Sequence, residues 1–514
     1  MWRKVGAATC VPLTLAAIQS SAWTQPDEVL GSTFTFHHEN VLGTSLEVRV
    51  RAHDLAAARR AETVVLAEFE RQDQILSSWR KDSELSRWAA TRFIAVPVSP
   101  ELYRTLAQFD MWRKKTGGAL DPSVEAAARL WRTASAEGRT PSVAEIAQTV
   151  EAMQQPHWSL DAAHRTATRL TDVPLTFATF VKSSISSAAA DAALQAGATG
   201  VMLNVGGDVV VRGAISQIVS IANPRAAAEN DPALEHIVVR DRAVATSGSY
   251  RRGVEAQAQL SLRAPKLSHI LDPRTAAPAG NILSSTVVAA DAETAGALAT
   301  AFSVLPVEES RELAARTPGV DYLIVTRDGT TVQSAGFEKY GIPALRNAAY
   351  APAADTKAAA GMWNAQFELA IGLEIARIND PRARRPYVAV WIEDADHFPI
   401  RTLALWTEKP RWIPDLKQWY RDEQIRSMTE GNDLSRTVSS ATRPAGHYTL
   451  SWDGKDNEGK LVKAGTYTVC VEATREHGSY QVQRHTLELK SQPQQFAFPA
   501  GDELGSVTIE YRKR

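Results

Sequence analysis

The chain is poor in the features that usually announce a class of protein. It has two cysteines, Cys10 and Cys470, and the first lies in a stretch that reads as a removable leader. The mature chain therefore has no disulfide framework and relies on its core. Its charges cancel, with 57 Lys plus Arg against 58 Asp plus Glu and a net charge of −1. That balance offers no electrostatic attraction toward nucleic acid or an anionic membrane surface. The apolar run Val5 to Ile18 falls short of the roughly 20 residues that a spanning helix needs, so no transmembrane segment is expected in the mature chain. What is present is ordinary for a folded protein, 44% hydrophobic and 22% charged in 514 residues, and too long for one core.

The first residues, Met1-Trp2-Arg3-Lys4, are basic, and small residues Ser20-Ser21-Ala22 follow the apolar run. This order predicts a signal peptide over 1–22 and export to the periplasm.

Alternating apolar residues at Phe34 and Phe36, then at Leu46, Val48 and Val50, predict two strands around Asn40 to Thr44. Helical spacing runs from Leu55 to Leu76 and again from Leu102 to Lys115, which stops at Thr116-Gly117-Gly118. Asp121-Pro122 opens a further helix carrying Leu130 and Trp131 on its buried side. Residues 139–170 read as a polar-rimmed insertion with short helical pieces. Lys182 precedes the hydroxyl-rich Ser183 to Ser187 and an Ala-rich helix at 188–196; such a helix start suits an anion, although serine capping is the commoner explanation. Gly206-Gly207-Asp208, between Val201–Val205 and Val209–Val211, predicts a hairpin rather than a dinucleotide fingerprint, because a strand follows it.

The stretch from Lys266 to Leu305 concentrates chemistry. His269, Asp272, Arg274 and Thr275 fall close together around Pro273, followed by a Val-rich strand and an Ala-rich helix carrying Thr300. An Asx turn with a salt bridge would explain Asp272 and Arg274 equally well.

Taken in order, Leu42-Gly43-Thr44, Ser83-Glu84-Leu85-Ser86, Thr116 to Val124, the segment around Lys182, Asn204 to Asp208, Ala245 to Tyr250, Ser268 to Thr275 and Ala297 to Ala301 resemble the ApbE family, the FAD:protein FMN transferases. The resemblance covers about residues 30–340. It implies an α+β, ApbE-like flavin transferase domain that binds FAD, uses Mg²⁺, and moves FMN onto a Thr or Ser hydroxyl of an acceptor flavoprotein with release of AMP. It further implies His269 and Lys182 as catalytic groups. Leu42, Gly43, Thr44, Asp121, Gly206, Gly207, Asp208, Ser247, Gly248 and Tyr250 would hold the cofactor. Thr300, a main-chain carbonyl near Ala178 and, in default of the usual ligand, Asp291 or Glu293 would hold the metal.

The chain departs from the family pattern in four places. Gly296 stands where the family has its metal-ligand aspartate, Ser183-Ser184 replaces Gly-Tyr, Ser187 replaces Asp, and Ala276 replaces Gly.

An Ala/Pro linker is expected over 341–362, and an all-β sandwich domain over 363–514, from alternation at Phe367 to Leu373, Tyr387 to Trp391, Tyr448 to Trp452 and Tyr467 to Val471. This part resembles immunoglobulin-like modules of bacterial surface proteins. Its aromatics Trp406, Trp412, Trp419 and Tyr420 are read first as core, and the basic residues beside them leave a binding role as the alternative. His397, His447 and His477 have no metal-ligand spacing. Two functional classes stay open: an FMN transferase whose β domain docks the acceptor or a membrane-associated redox partner, and a degenerate FAD-binding protein or FAD pyrophosphatase whose β domain is a partner-binding module.

Overall fold

The computed structural model describes residues 31–226, 228–249, 253–254, 267–342, 361–378, 384–407, 410–431, 434, 439–440, 442–476, 478–490 and 492–514. Residues 1–30, where the signal peptide is expected, Tyr250, most of the stretch 341–362 and His477 lie outside the described residues.

The first part is built on β1 (Ser32–Val41), β2 (Thr44–Ala52), α1 (Leu55–Leu76), α2 (Pro100–Lys115), α3 (Val124–Ala136), α4 (Ala178–Gln195), β3 (Gly200–Val205), β4 (Asp208–Gly213), β5 (Ala243–Gly248), β6 (Ile282–Ala289), α5 (Ala292–Val304), β7 (Asp321–Thr326) and β8 (Thr331–Gln333). The eight strands form one sheet in chain order, and every neighbouring pair is antiparallel. Period-two alternation divides its two faces. Val48, Val50, Leu203, Val210, Ala245 and Val287 face a core shared with Val65, Phe69, Phe180, Ile185, Leu298 and Phe302 of α1, α4 and α5. Residues of opposite parity, among them Met202, Val209, Val211, Val244 and Val288, pack against Ile221, Ile237, Phe337 and Tyr340.

The direction of the helices sets the position of the site. α4 runs alongside β4, since Lys182 and Ser183 reach Asp208 at the start of that strand and Leu194 lies against Gly213 at its end. α5 runs the opposite way, beginning beyond Ala289 and bringing Ser303 to the carbonyl of Ser247 near the end of β5 (3.4 Å). The start of α4 and the last turns of α5 therefore reach the same edge of the sheet.

Two expectations change here. The serines at 183–187 lie inside α4, which starts at Ala178. Burial of Phe180, Val181 and Ile185 carries the helix through a segment whose local preference is for caps. The insertion at 139–170 holds a twelve-residue helix, Val143–Gln154, and a hairpin, Trp158–Asp161 with Thr166–Arg169, to which Ala95–Pro97 adds a third strand.

The C-terminal part contains β9 (Phe367–Ile375), β10 (Tyr387–Glu393), β11 (Pro399–Trp406), α6 (Lys417–Glu430), β12 (Gly446–Trp452), β13 (Gly465–Thr474), β14 (Tyr480–Leu489), β15 (Gln494–Phe498) and β16 (Leu504–Lys513). One sheet has the order β12-β9-β16-β15; β11, β10, β13 and β14 form the other with the short strand Ser439–Ser440 at its edge. Trp363, Trp406, Trp452 and Tyr511 are buried between the sheets. Sequence alternation does not foresee α6, which covers the outer face of the second sheet through Trp419. Its first N–H groups, from Gln418 and Trp419, donate to Glu472 at 2.9 and 2.7 Å, so a carboxylate from β13 stabilises the positive helix end. Trp406 and Trp419 are core residues, and Trp412 and Tyr420 pack partly into the layer beneath α6.

Candidate functional site

Two glycine turns meet at the sheet edge. Leu42-Gly43 joins β1 to β2 with both residues at positive φ (50° and 75°), and Gly206-Gly207 joins β3 to β4 likewise (57° and 99°). This is the mirror-image turn whose twist matches hairpin strands. A Cβ on Gly206 would lie 2.5 Å from Thr44 Oγ1, so only glycine lets the two tips pack. The Gly206 N–H donates to Ser45 O (3.1 Å) and the Gly207 N–H to Asn204 Oδ1 (3.0 Å). The tips are thus fixed, with Asp208 directly after them.

Asp208 Oδ2 accepts from Lys182 Nζ at 3.0 Å and from Ser183 Oγ at 3.1 Å. The lysine and aspartate side chains keep 28% and 14% of their exposure, enough for a ligand to meet them. α4 begins just before this pair, and its N-cap, Phe177, supplies no side-chain hydrogen bond. The first-turn N–H groups and the positive helix end therefore stand beside Lys182, a combination that suits a phosphate.

α5 crosses α4 at Gly296. A Cβ there would lie 2.7 Å from Ser183 Oγ and 3.5 Å from Phe180 Cα. From this antiparallel crossing, Ala178 and Thr300 each lie a few residues toward the same edge, at about 1.5 Å per residue. Asp291 does not join them. Nine residues separate it from Thr300, about 13 Å along the helix, and it is the N-cap of α5, accepting the Thr294 N–H at 2.7 Å. Glu293 is also engaged elsewhere, tying α5 to α2 through Trp112 Nε1 (3.0 Å) and Gln108. Among the described residues no three His, Cys, Asp or Glu are grouped for a metal.

The remaining candidates divide. Asp121 is buried and committed to its own turn, accepting Arg113 Nε at 2.6 Å, Ser123 N–H at 2.8 Å and Ser123 Oγ at 2.6 Å. Asp272 and Arg274 form the Asx turn and ion pair, with Arg274 Nη2 2.9 Å from Asp272 Oδ2. Arg274 packs beside Gly118, which brings the Thr116–Gly118 turn to this loop. Ala276, at φ 52°, gives its carbonyl to Trp131 Nε1 at 2.7 Å. His269 is exposed, while its neighbour Ser268 is buried and accepts the Ile270 N–H. Ser247 and Gly248 end β5 opposite Ser285 and Ser284 of β6. Ser303 is the residue at this edge that the sequence does not single out, because its partner Ser247 is distant in the chain, and Ser183, read there as part of an anion-suited helix start, is spent on Asp208 instead.

A family model described as the ApbE family matches residues 42–324, and one described as "Predicted periplasmic protein (DUF2271)" matches 368–506. The FAD:protein FMN transferase of Treponema pallidum is 29% identical over 319 residues, covering 58% of this chain and 86% of that protein. The Escherichia coli (strain K12) FAD:protein FMN transferase is 25% identical, covering 60% and 89%. The crystal structure of the ApbE protein of Thermotoga maritima matches with a TM-score of 0.53 and 26% identity, over 60% of this chain and all of that one. The flavin transferase ApbE from Vibrio cholerae, at 22% identity and a TM-score of 0.50, has the same fold. With its glycine turns, its Lys182–Asp208 pair and a family match spanning more than half its length, the chain belongs to the ApbE family.

Proposed function

We propose that the chain is an FAD:protein FMN transferase, moving the FMN half of FAD onto a Thr or Ser hydroxyl of an acceptor flavoprotein and releasing AMP. The observation that carries this reading is the Lys182–Asp208 pair beside the uncapped start of α4 and two glycine tips. Backbone N–H groups and an ammonium together suit the pyrophosphate of FAD, and Gly43 and Gly207, with open space where a side chain would stand, leave room for main chain to lie against it. The acceptor oxygen attacks the FMN phosphorus, the bond to the AMP phosphate breaks, AMP leaves, and the hydroxyl proton passes to a base. His269, exposed on its loop, is assigned that role. Lys182 offsets charge developing on the bridging oxygen.

Mg²⁺ fits this edge poorly. Gly296 has no side chain, Asp291 caps the far end of α5, and Asp208 is already met by Lys182; a hard cation is held tightly by carboxylates. Mg²⁺ is therefore expected to bind weakly, with Thr300 and the Ala178 carbonyl as its neutral neighbours. The same lack of a carboxylate favours, as the second reading, a protein that binds FAD or splits it without transfer.

We further place the mature chain in the periplasm, with residues 1–22 removed, and assign the β-sandwich of 363–514 to docking the acceptor. Among the described residues no helix is long and apolar enough to cross a membrane.

The test is incubation of mature protein with FAD, with and without Mg²⁺ and a Thr-containing acceptor protein, following AMP by chromatography and the acceptor by mass spectrometry. Flavinylated acceptor with matching AMP is expected. AMP without flavinylation would support the pyrophosphatase alternative, and no AMP with saturable FAD binding the binding protein.

A further inference from the structure

A second charged site lies where the two parts of the chain meet. A cleft of about 230 Å³ is bordered on one side by Glu39 and Asn40 of β1 and on the other by Arg377, Arg384, Arg385 and Arg475. Two of the arginines have carboxylate partners, Arg385 with Glu39 at 2.8 Å and Arg475 with Glu503 at 2.8 Å. Among the described residues Arg377 and Arg384 form no ion pair. Among the described residues the four guanidinium groups have two carboxylate partners, an excess of positive charge at close quarters, which costs free energy unless an anion offsets it.

Arg475 supplies an independent sign. Its side chain keeps only 8% of its exposure. Nε is spent on Glu503 and Nη1 on the Arg384 carbonyl, while Nη2 is buried and meets no acceptor among the described residues. A buried guanidinium N–H without an acceptor is rare, and an oxyanion is the partner its fork geometry matches.

We propose that this junction cleft binds a phosphate-class dianion through Arg377, Arg384 and Arg475. Because Asn40 lies two residues before Leu42, the anion would sit on the hairpin that carries the Leu42-Gly43 tip and tie the β-sandwich to it. This inference does not rest on the FMN-transfer reading.

The test is calorimetric titration of inorganic phosphate into the full mature chain in a phosphate-free buffer, with and without FAD, and of acetate and AMP in parallel. Phosphate binding that persists in FAD and weakens at least ten-fold in Arg377→Gln/Arg384→Gln supports the proposal; both side chains are exposed, so the fold should tolerate the change. Arg475→Lys, which removes Nη2 but keeps the charge, should also weaken it. AMP binding as tightly as phosphate, and weakened by the same variants, would identify a phosphate monoester as the source. Acetate binding equal to phosphate, phosphate binding lost in FAD, unchanged affinity in the double variant, or no binding would each overturn it.

Discussion

Gly296 and Ser183 occupy one crossing point between α5 and α4, where a Cβ on the glycine would stand 2.7 Å from the serine Oγ and 3.3 Å from its Cβ. The serine cannot simply turn away, because its hydroxyl holds Asp208 at 3.1 Å. The two departures from the family pattern are therefore coupled: a side chain at 183 occupies the space that a side chain at 296 would need. Gly296→Ala is expected to destabilise the chain by roughly 1–3 kcal/mol, the range for overpacked cores. Gly296→Asp alone meets the same obstruction, and only with Ser183→Gly has it room. Urea denaturation of both single variants and of Ser183→Gly/Gly296→Ala should yield a coupling of at least about 1 kcal/mol. Strictly additive effects would mean the crossing is looser than the geometry shows.

Lys182 and Asp208 allow stability and activity to be separated. Their ion pair is partly exposed, so Lys182→Met should change unfolding free energy by no more than about 1 kcal/mol. Loss of a cation poised on a pyrophosphate should lower AMP release from FAD by roughly 100-fold or more. A variant that keeps its melting temperature and its activity would remove Lys182 from the chemistry.

Cys470 is fully buried in β13 against Trp391 and Leu405, and burial, with the Glu393 carboxylate nearby, pushes its thiol well above the usual range. The thiolate is the reactive form. Native mature protein should therefore not react with a disulfide reagent, and one thiol should titrate after denaturation. Rapid native modification would place Cys470 at an accessible surface.

The helix-and-sheet plan was legible because strand alternation and glycine turns are local signals: Leu42-Gly43 and Gly206-Gly207 mark hairpins wherever the rest of the chain goes. The order of the family motifs likewise pointed to the ApbE fold, confirmed by the family match. What could not be read was commitment. Asp121 looks available until Arg113 and Ser123 are seen to occupy it, and Asp291 sits near Thr300 in sequence yet at the other end of α5. α6 leaves no mark in the sequence because Ile425 and Met428 face outward, so no apolar period runs along it, and its start is secured by Glu472 from a strand far along the chain.

Glu293 gives the first part of the chain a pH dependence of definite sign. Burial raises its carboxyl above the ordinary 4.5, Asp291 adds to the effect, and the Trp112 and Gln108 hydrogen bonds only partly oppose it. The folded state therefore holds this proton more tightly than the unfolded chain. Between 4.5 and the raised folded value the folded state binds more protons, so this group's contribution to stability falls as pH rises through that window and is constant above it. Glu293→Gln removes the titration while keeping an acceptor for Trp112 Nε1, and the Gln108 amide can turn to offer its oxygen. Relative to the natural chain the variant should gain stability steadily as pH is raised from 4 and then level off. Urea midpoints for both proteins at half-unit steps from pH 4 to 8 measure the difference directly. Two parallel curves would show that Glu293 ionises in the folded protein as freely as in the unfolded one.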